Sequence, residues 1–277
     1  MRRTAGRLIV VLAATVAIAF LVLPIVAIFV HTSPSRLLSQ LSDPVVRDAF
    51  LVTVKTSLAA QALILLVGTP AAYLLATRRF RGHSVAVTLV ELPLVMPPAV
   101  AGIGLLFAFS RVGLLGSTIQ FLGLSLSFTQ AAVVVAVAYV ASPLYIRQAI
   151  AAFEAVDPRL PAASRTLGAG PGRTFFRVVL PLARAGLIAG LALSFARGLG
   201  EFGATIMFAG NLPGRTQTLS LAIYTEFEGG NFDRSLAMGG VLVLVSAVLL
   251  LTLRIALSWQ RQPSTTSPSL FGLSSSS

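Results

Sequence analysis

Three ionisable side chains lie inside long apolar stretches of this sequence. Glu91 falls in one stretch, and Arg197 and Glu201 fall in another. Charged groups at membrane depth are rare, and they usually face protein or a water-filled path. Arg197 and Glu201 are four residues apart, so a continuous helix would place them on one face and allow an ion pair. Such a pair could gate a path for a charged solute, or it could only hold helices together.

No other group of residues indicates catalysis. The chain has no cysteine, and its two histidines, His31 and His83, lie far apart in sequence, so no metal site is predicted. No Ser/His pair, His-Glu-x-x-His motif or carboxylate pair indicates an enzyme, and no cofactor is expected. The run Gly198-x-Gly200-x-x-Gly203 matches a dinucleotide-binding pattern, but no strand precedes it. We interpret these glycines as points of close helix packing or flexure.

Membrane-spanning helices must position these residues. Of the 277 residues, 56% are hydrophobic and 11% are charged, which excludes a soluble domain of this size. Apolar runs of about 20 residues cross a bilayer core, and the sequence therefore predicts an all-α polytopic membrane protein with about six transmembrane helices. The predicted spans are Leu8–Val30, Phe50–Ala76, Ala86–Phe109, Gln130–Ala152, Ala185–Ala209 and Ala237–Leu257.

The net charge of +12 is unevenly distributed between the two sides of the predicted membrane region. Almost all of the excess arginine falls on the side of the termini, whereas the opposite side is nearly neutral. The positive-inside rule makes the arginine-rich side cytoplasmic, so both termini are predicted to be cytoplasmic. The basic charge therefore sets the topology and does not indicate nucleic-acid binding. The first apolar run is too long for the core of a signal peptide, and we expect a retained span.

Composition divides the chain into three parts. Residues 1–47 hold the first span and an external loop, residues 48–258 form the transmembrane domain, and residues 259–277 are predicted to be a disordered cytoplasmic tail because they are rich in Ser, Thr and Pro. The longest external connection is Asn211–Ser235. Within it, Leu219–Tyr224 is predicted to be a short helix lying on the membrane.

The only sizeable cytoplasmic loop, residues 153–182, has the features of a docking helix. Asp157-Pro158 is typical of a helix start, because Asp accepts bonds from free N–H groups and Pro suits the first turn. Gly168 is expected to end the helix, and Gly170-Pro171-Gly172 to enforce a bend. Small residues between these points would let another backbone approach, and a short helix laid in a groove is a common recognition mode. An ordinary surface loop is the alternative.

The spacing within this loop resembles the signature of permease subunits of ABC-type importers. That signature runs Glu-Ala-Ala, three residues, Gly, nine residues, Ile-x-Leu-Pro, and Gly168 with Val178-x-Leu-Pro181 matches its second half. At its first positions this chain has Ala162-Ala163-Ser164, so the acidic residue is absent. In such permeases the loop forms a coupling helix that docks on an ATPase subunit. The resemblance implies that the coupling residues are Glu154, Asp157, Ala162, Ala163, Ser164, Leu167, Gly168, Leu180 and Pro181.

Two further segments resemble permeases of molybdate importers. They are Leu92–Pro98 and Gly198–Asn211, the latter continuing through Pro213–Thr218. The Gly-Glu-Phe-Gly-Ala core within the second is also shared with sulfate permeases. The resemblance covers roughly residues 45–258 and implies a type I ABC importer permease-like fold that carries an oxyanion. Molybdate is the expected substrate, with sulfate or tungstate as the alternatives.

Proline and glycine predict irregular or close-packed helices near the presumed path. Pro93, Pro97 and Pro98 cannot all sit in one straight helix, so the third span is predicted to be bent and covered by protein or beside the path. Gly186-x-x-x-Gly190 suits close packing, either within one subunit or across a dimer. The residues predicted to line or gate the pathway are Glu91, Pro97, Pro98, Arg197, Gly200, Glu201 and Gly203.

The resemblance also implies partners. They are an ABC ATPase subunit on the cytoplasmic side, an external oxyanion-binding protein, a second copy of this chain in a homodimer, and membrane lipid. ATP hydrolysis is expected on the ATPase subunit, because this chain has no Gly-x-x-x-x-Gly-Lys loop. The alternative of a different class is a secondary transporter or channel. It would need more coupling carboxylates than Glu91 and Glu201, and no docking helix.

Overall fold

A computed structural model of the protein describes residues 2–258 except residues 122 and 124. The predicted tail, residues 259–277, lies outside the described residues. In the described part the chain is helical and contains no strand. In chain order the helices are α1 Arg2–His31, α2 Pro34–Leu41, α3 Pro44–Thr77, α4 His83–Val95, α5 Pro98–Phe109, α6 Gly116–Phe121, α7 Gln130–Glu154, α8 Arg159–Thr166, α9 Pro171–Thr174, a π-helical turn Phe175–Val179, α10 Leu180–Leu199, α11 Gly203–Ala209, α12 Leu219–Glu228 and α13 Phe232–Ser258.

Within the described residues, five helical segments are long and apolar enough to cross a membrane, and there are six if the bent pair α4 and α5 counts as one span. The predicted number of spans is therefore confirmed. The axes of α4 and α5 differ by 115° at the break between them, so the third span is bent as the prolines predicted. The second span begins earlier than predicted, because the Asp43 carboxylate accepts a 2.8 Å hydrogen bond from the Val45 N–H and Pro44 occupies the first turn.

The predicted bounds of the fifth span are wrong. The apolar run Ala185–Ala209 reads as one helix, but the helix that starts at Pro171 ends at Leu199. A break follows, and α11 then begins at Gly203. Hydropathy did not reveal this break because Arg197 and Glu201 are the only charged residues in an otherwise apolar run.

The core is built around α7, which packs on both α3 and α10. Five of its eleven buried residues are alanines, and Ala132, Ala136 and Ala149 are fully buried. Small side chains let helices approach closely, which is a common solution where apolar burial alone does not bring helices together in lipid. By contrast with α7, the apolar part of α1 has no buried residue, so α1 lies at the periphery of the chain.

The predicted Gly186-x-x-x-Gly190 contact lies within one chain, between α10 and α7. A Cβ atom built on Gly186 would come within 2.5 Å of the Ala152 Cβ, and one on Gly190 within 2.9 Å of the Gln148 Cβ. Real Cβ atoms do not approach this closely, so both positions require glycine unless the helices move apart. This pair fixes the distance between α10 and the core helix.

The short external helix was predicted at Leu219–Tyr224 and is found as α12, but its predicted place on the membrane surface is wrong. Leu219 and Ala222 are buried, and they pack with Val46 of α3 and Met238 of α13. The helix lies in the protein because its apolar side is covered by two long helices. The connection Asn211–Ser235 is therefore part of the packed structure.

Candidate functional site

The 153–182 loop forms a capped helix at the place where the sequence predicted one. Helix α8 begins at Arg159, and the Asp157 carboxylate accepts a 2.9 Å hydrogen bond from the Arg159 N–H. The Asp157 carbonyl also accepts a bond from the Leu160 N–H at 3.1 Å. Asp157 thus satisfies two of the N–H groups that a helix start leaves free.

The helix ends at Gly168 in a left-handed turn. Gly168 has φ +84°, its N–H donates to the Arg165 carbonyl at 2.9 Å, and the Ala169 N–H donates to the Ser164 carbonyl at 3.1 Å. These two bonds form a Schellman motif, which strongly favours glycine at the left-handed position. The predicted end of the helix is confirmed, together with the reason for it.

One polar contact joins α8 to the helix that follows it. The Ser164 hydroxyl lies 3.2 Å from the hydroxyl of Thr174, which is 1% exposed. Ala162 and Ala163, by contrast, are exposed. The small-residue part of α8 is therefore open to a partner, while Ser164 holds the helix against the body of the protein.

Leu180 and Pro181 begin α10 and lie inside a continuous helical segment. Pro181 has no backbone N–H and would clash with the turn before it in a regular α-helix. The chain accommodates it with the π-helical turn Phe175–Val179, in which the Leu180 N–H donates to the Phe175 carbonyl. Single π-helical turns are frequent at functional sites. The loop is thus connected to the fifth span without a flexible linker.

The break within the third span lies against the break that follows the fifth span. The α4–α5 break lies at Met96 and Pro97, and the α10–α11 break runs from Gly200 to Phe202. A Cβ atom on Gly203 would come within 3.0 Å of the Pro98 Cβ. Helices α5 and α11 continue side by side from there, because Gly102 lets the Ala204 backbone come close. A Cβ atom built on Gly102 would lie only 2.6 Å from the Ala204 carbonyl oxygen.

A buried carboxylate occupies this junction. Glu201 is 2% exposed, and one of its oxygens lies 2.9 Å from a guanidinium nitrogen of Arg197. The other oxygen accepts a 2.8 Å hydrogen bond from the Ala204 N–H, at the start of α11. The predicted ion pair is therefore present, but the reason given for it is wrong, because Glu201 lies beyond the end of α10 and not on its helical face.

Glu91 pairs with a residue of the core helix. Its carboxylate lies 3.0 Å from the Nε of Arg147, and both side chains are partly exposed in the single chain. On the side of the 153–182 loop, Glu154 pairs in the same way with Arg79 at 3.5 Å.

Two polar features of the junction were not predicted. The Ser194 hydroxyl donates a 2.8 Å hydrogen bond to the side-chain oxygen Oε1 of Gln61, between α3 and α10. The Gln61 amide nitrogen is buried and has no hydrogen-bond partner in the described structure, and the same holds for the Thr205 hydroxyl. A glutamine within an apolar span was the signal available in the sequence.

An ion network at the far side of the chain from the 153–182 loop was also missed. Arg234 of α13 contacts Asp43 at 2.7 Å and Glu226 of α12 at 3.4 Å. In addition, the Tyr224 ring packs 4.7 Å from the ring of Phe202, the residue after the buried Glu201. Helix α12 therefore contacts the first turn of α13 and, through Arg234, the start of α3. Through Tyr224 it also contacts the break between α10 and α11.

The Tyr224 hydroxyl donates a hydrogen bond to the Glu228 carboxylate, four residues later in α12. This bond raises the pKa of Tyr224 above its ordinary value of 10.0, since losing the proton would break the bond and place two negative charges together. Tyr224 is therefore a neutral donor at physiological pH. No group of His, Asp and Glu in the described residues is arranged to hold a metal ion.

Residues 64–261 match the family described as binding-protein-dependent transport system inner membrane component. The molybdenum transport system permease protein ModB of Mycobacterium tuberculosis is 40% identical over 242 residues, 87% of this chain and 91% of that protein. ModB of Escherichia coli K12 is 42% identical over 179 residues, 64% of this chain and 78% of that protein. A probable molybdenum ABC transporter permease protein of Haloferax volcanii is 38% identical over 241 residues, 86% of this chain and 87% of that protein.

Solved structures share the fold at lower identity. A chain in the crystal structure of a bacterial ABC transporter involved in the import of the acidic polysaccharide alginate superposes with a TM-score of 0.69 at 17% identity, covering 94% of this chain and 98% of that one. A chain of the MetNI methionine ABC transporter, in an inward-facing conformation, gives a TM-score of 0.55 at 20% identity, covering 76% and 92%. The arrangement of helices is thus that of ABC importer permeases.

Proposed function

The chain belongs to the family of binding-protein-dependent transport system inner membrane components, and from this membership we propose that it is the permease subunit of an ATP-driven molybdate importer. The observation that carries the proposal is the 40% identity with a molybdenum transport permease over 87% of the chain. Sulfate and tungstate are the alternative substrates, because the Gly-Glu-Phe-Gly-Ala core at 200–204 resembles sulfate permeases as well.

In this function the 153–182 loop contacts a separate ATPase subunit. The loop presents a rigid helix with Ala162 and Ala163 exposed, and its end is fixed by the Schellman motif at Gly168. The energy for transport comes from the ATPase, since this chain has no ATP-binding loop of its own. A homodimer would present two such helices to two ATPase subunits, with both termini of each chain in the cytoplasm.

The junction between the break in the third span and the break after the fifth span is the proposed gate. Its buried Glu201, its partner Arg197 and the glycines around them lie where two interrupted helices touch. Irregular backbone within a membrane is tolerated where it is covered by protein or lines a cavity. ATP and a loaded binding protein would each bind one of two arrangements of this junction more tightly and so favour it, while ATP hydrolysis supplies the free energy of transport.

Uptake of radioactive molybdate by cells that lack their own molybdate permease tests the proposal. Cells expressing this chain with its ATPase and binding protein should accumulate molybdate, and cells lacking the ATPase should not. Uptake that persists without the ATPase would instead indicate a secondary transporter or channel. Ligand binding by the binding protein, measured for molybdate, tungstate and sulfate, identifies the substrate, and a preference for sulfate would overturn the molybdate assignment.

A further inference from the structure

A cleft of about 900 Å³ opens beside α8, and we call it the α8 cleft. It lies between the last turn of α3, the end of α7 and the α8 helix. Its floor is apolar and includes Tyr73 and Phe153, and its rim carries Arg78, Arg79 and Arg165. A concave site with an apolar floor and charged rim fits a protruding side chain better than a flat surface does.

The acidic residues near the cleft are already engaged within the chain. Glu154 pairs with Arg79 at 3.5 Å, and the Asp157 carboxylate accepts the Arg159 N–H. The position at which the importer signature has its acid is Ala162, which also lines the cleft. Of the acids at this surface, Glu154 is therefore paired with an arginine of the same chain, and Asp157 keeps its charge but uses one carboxylate oxygen to cap α8.

Positive charge, by contrast, remains available. The guanidinium groups of Arg78, Arg159, Arg165 and Arg173 are exposed and form no ion pair with any of the described acids. Against these four arginines stands one carboxylate without an ion pair, Asp157, so the surface keeps a net positive charge that attracts carboxylates and repels basic surfaces. The preferred partner surface is accordingly acidic.

Exposed apolar side chains on α8 and at its C-terminal end favour a partner that also has apolar character. Leu167 is 88% exposed and Leu160 is 47% exposed. These leucines flank the exposed Ala162 and Ala163, so the helix offers a small apolar surface between arginines. Covering Leu167 fully would contribute on the order of 1–3 kcal/mol of hydrophobic free energy.

Resting on the proposed function, we propose that the ATPase subunit docks on this chain through an acidic segment, in which carboxylates meet Arg78 and Arg165 and an apolar side chain enters the α8 cleft. The negative charge expected of the partner segment follows from the exposed arginines that form no ion pair with the described acids. Arg78 comes from the end of α3 and Arg165 from α8, so the contact joins the loop to the body of the permease. Docking by shape alone would not use either arginine.

The test measures the affinity of the detergent-solubilised permease for its ATPase. We expect Arg165→Glu and Arg78→Glu each to weaken binding by about tenfold or more, and Arg165→Gln to weaken it less. The affinity of the wild-type chain should fall as salt rises, and this dependence should be smaller in the variants. The matched control is Arg177→Glu, because Arg177 is an exposed arginine on the adjoining π-helical turn that does not line the cleft. Thermal unfolding of each variant reports whether it is folded.

Separate outcomes distinguish this inference from the proposed function. If Gly168→Trp abolishes ATPase binding while Arg165→Glu, Arg78→Glu and salt leave it unchanged, the loop docks by shape and the acidic partner is wrong. If Gly168→Trp also leaves binding intact, the docking assignment itself fails. If the arginine variants lose binding only in nanodiscs that contain anionic lipid, and not in detergent, the cleft holds lipid headgroups and the inference is overturned.

Discussion

The Glu201 carboxylate lies 2.9 Å from the Arg197 guanidinium although α10 ends between them, at Leu199. The same carboxylate accepts the Ala204 N–H at the start of the next helix. One side chain therefore bridges the end of one helix and the beginning of another. This bridge stabilises the break. Any change of conformation at the break would have to find new partners for the buried carboxylate.

We expect Glu201→Gln to be less destabilising than Glu201→Ala. The Gln carbonyl oxygen can still accept the Ala204 N–H, whereas Ala leaves that buried donor without a partner, at a cost of about 1–3 kcal/mol. Thermal unfolding in detergent measures the difference. Equal losses in the two variants would mean that the ion pair, and not the cap, holds the break.

Arg197→Gln separates gating from packing. Arg197 is about a third exposed but its partner Glu201 is buried, so removing the positive charge leaves a buried carboxylate without its counter-ion and should cost on the order of 3 kcal/mol of stability. If the pair gates the pathway, molybdate uptake should fall at least tenfold while the ATPase still co-purifies with the chain. Normal uptake by this variant would leave the pair with a structural role alone.

Gly168→Val should damage the loop more than its solvent exposure suggests. Gly168 has φ +84°, where a β-branched residue is strained by about 1–2 kcal/mol or more. We expect the end of α8 to loosen and ATP hydrolysis to uncouple from transport, measured as ATPase activity per molybdate imported. The control is Gly170→Ala, since Gly170 has φ −66° and open space around it. Uncoupling by the control as well would show that any change in this loop suffices.

Gly186→Ala should destabilise the chain by about 1–3 kcal/mol, because its new methyl group would overlap the Ala152 side chain. Adding Ala152→Gly should restore much of the loss, and the coupling energy of this double-mutant cycle measures the contact. Gly239→Ala, in an open part of α13, is the control and should be neutral or slightly stabilising. Additive effects of Gly186→Ala and Ala152→Gly would contradict the close packing of α7 and α10.

The parts of the structure that depend on local chemistry could be predicted from the sequence. The cap at Asp157 and the turn at Gly168 depend on the residues within one helical turn of each, and both are found where the sequence placed them. The bend of the third span followed from its prolines, since these remove N–H donors wherever they lie.

The parts that depend on distant contacts could not be predicted. The end of α10 at Leu199 lies within an apolar run, and its position depends on contacts between α11 and α5. Arg234 and Asp43 are 191 residues apart, and no spacing rule connects them. Arg197 and Glu201 were paired correctly only because a four-residue spacing also allows contact across a tight break.

The unbroken helical segment from Pro171 to Leu199 has a mechanical consequence. Its 29 residues form a rod about 43 Å long at the usual rise per residue. One end touches α8 through Thr174, and the other end leads directly to Glu201. A partner that displaces the loop therefore also moves the buried carboxylate, because one continuous helical segment joins the two. Within that segment, the π-helical turn is the place where the backbone departs from regular α-helical geometry.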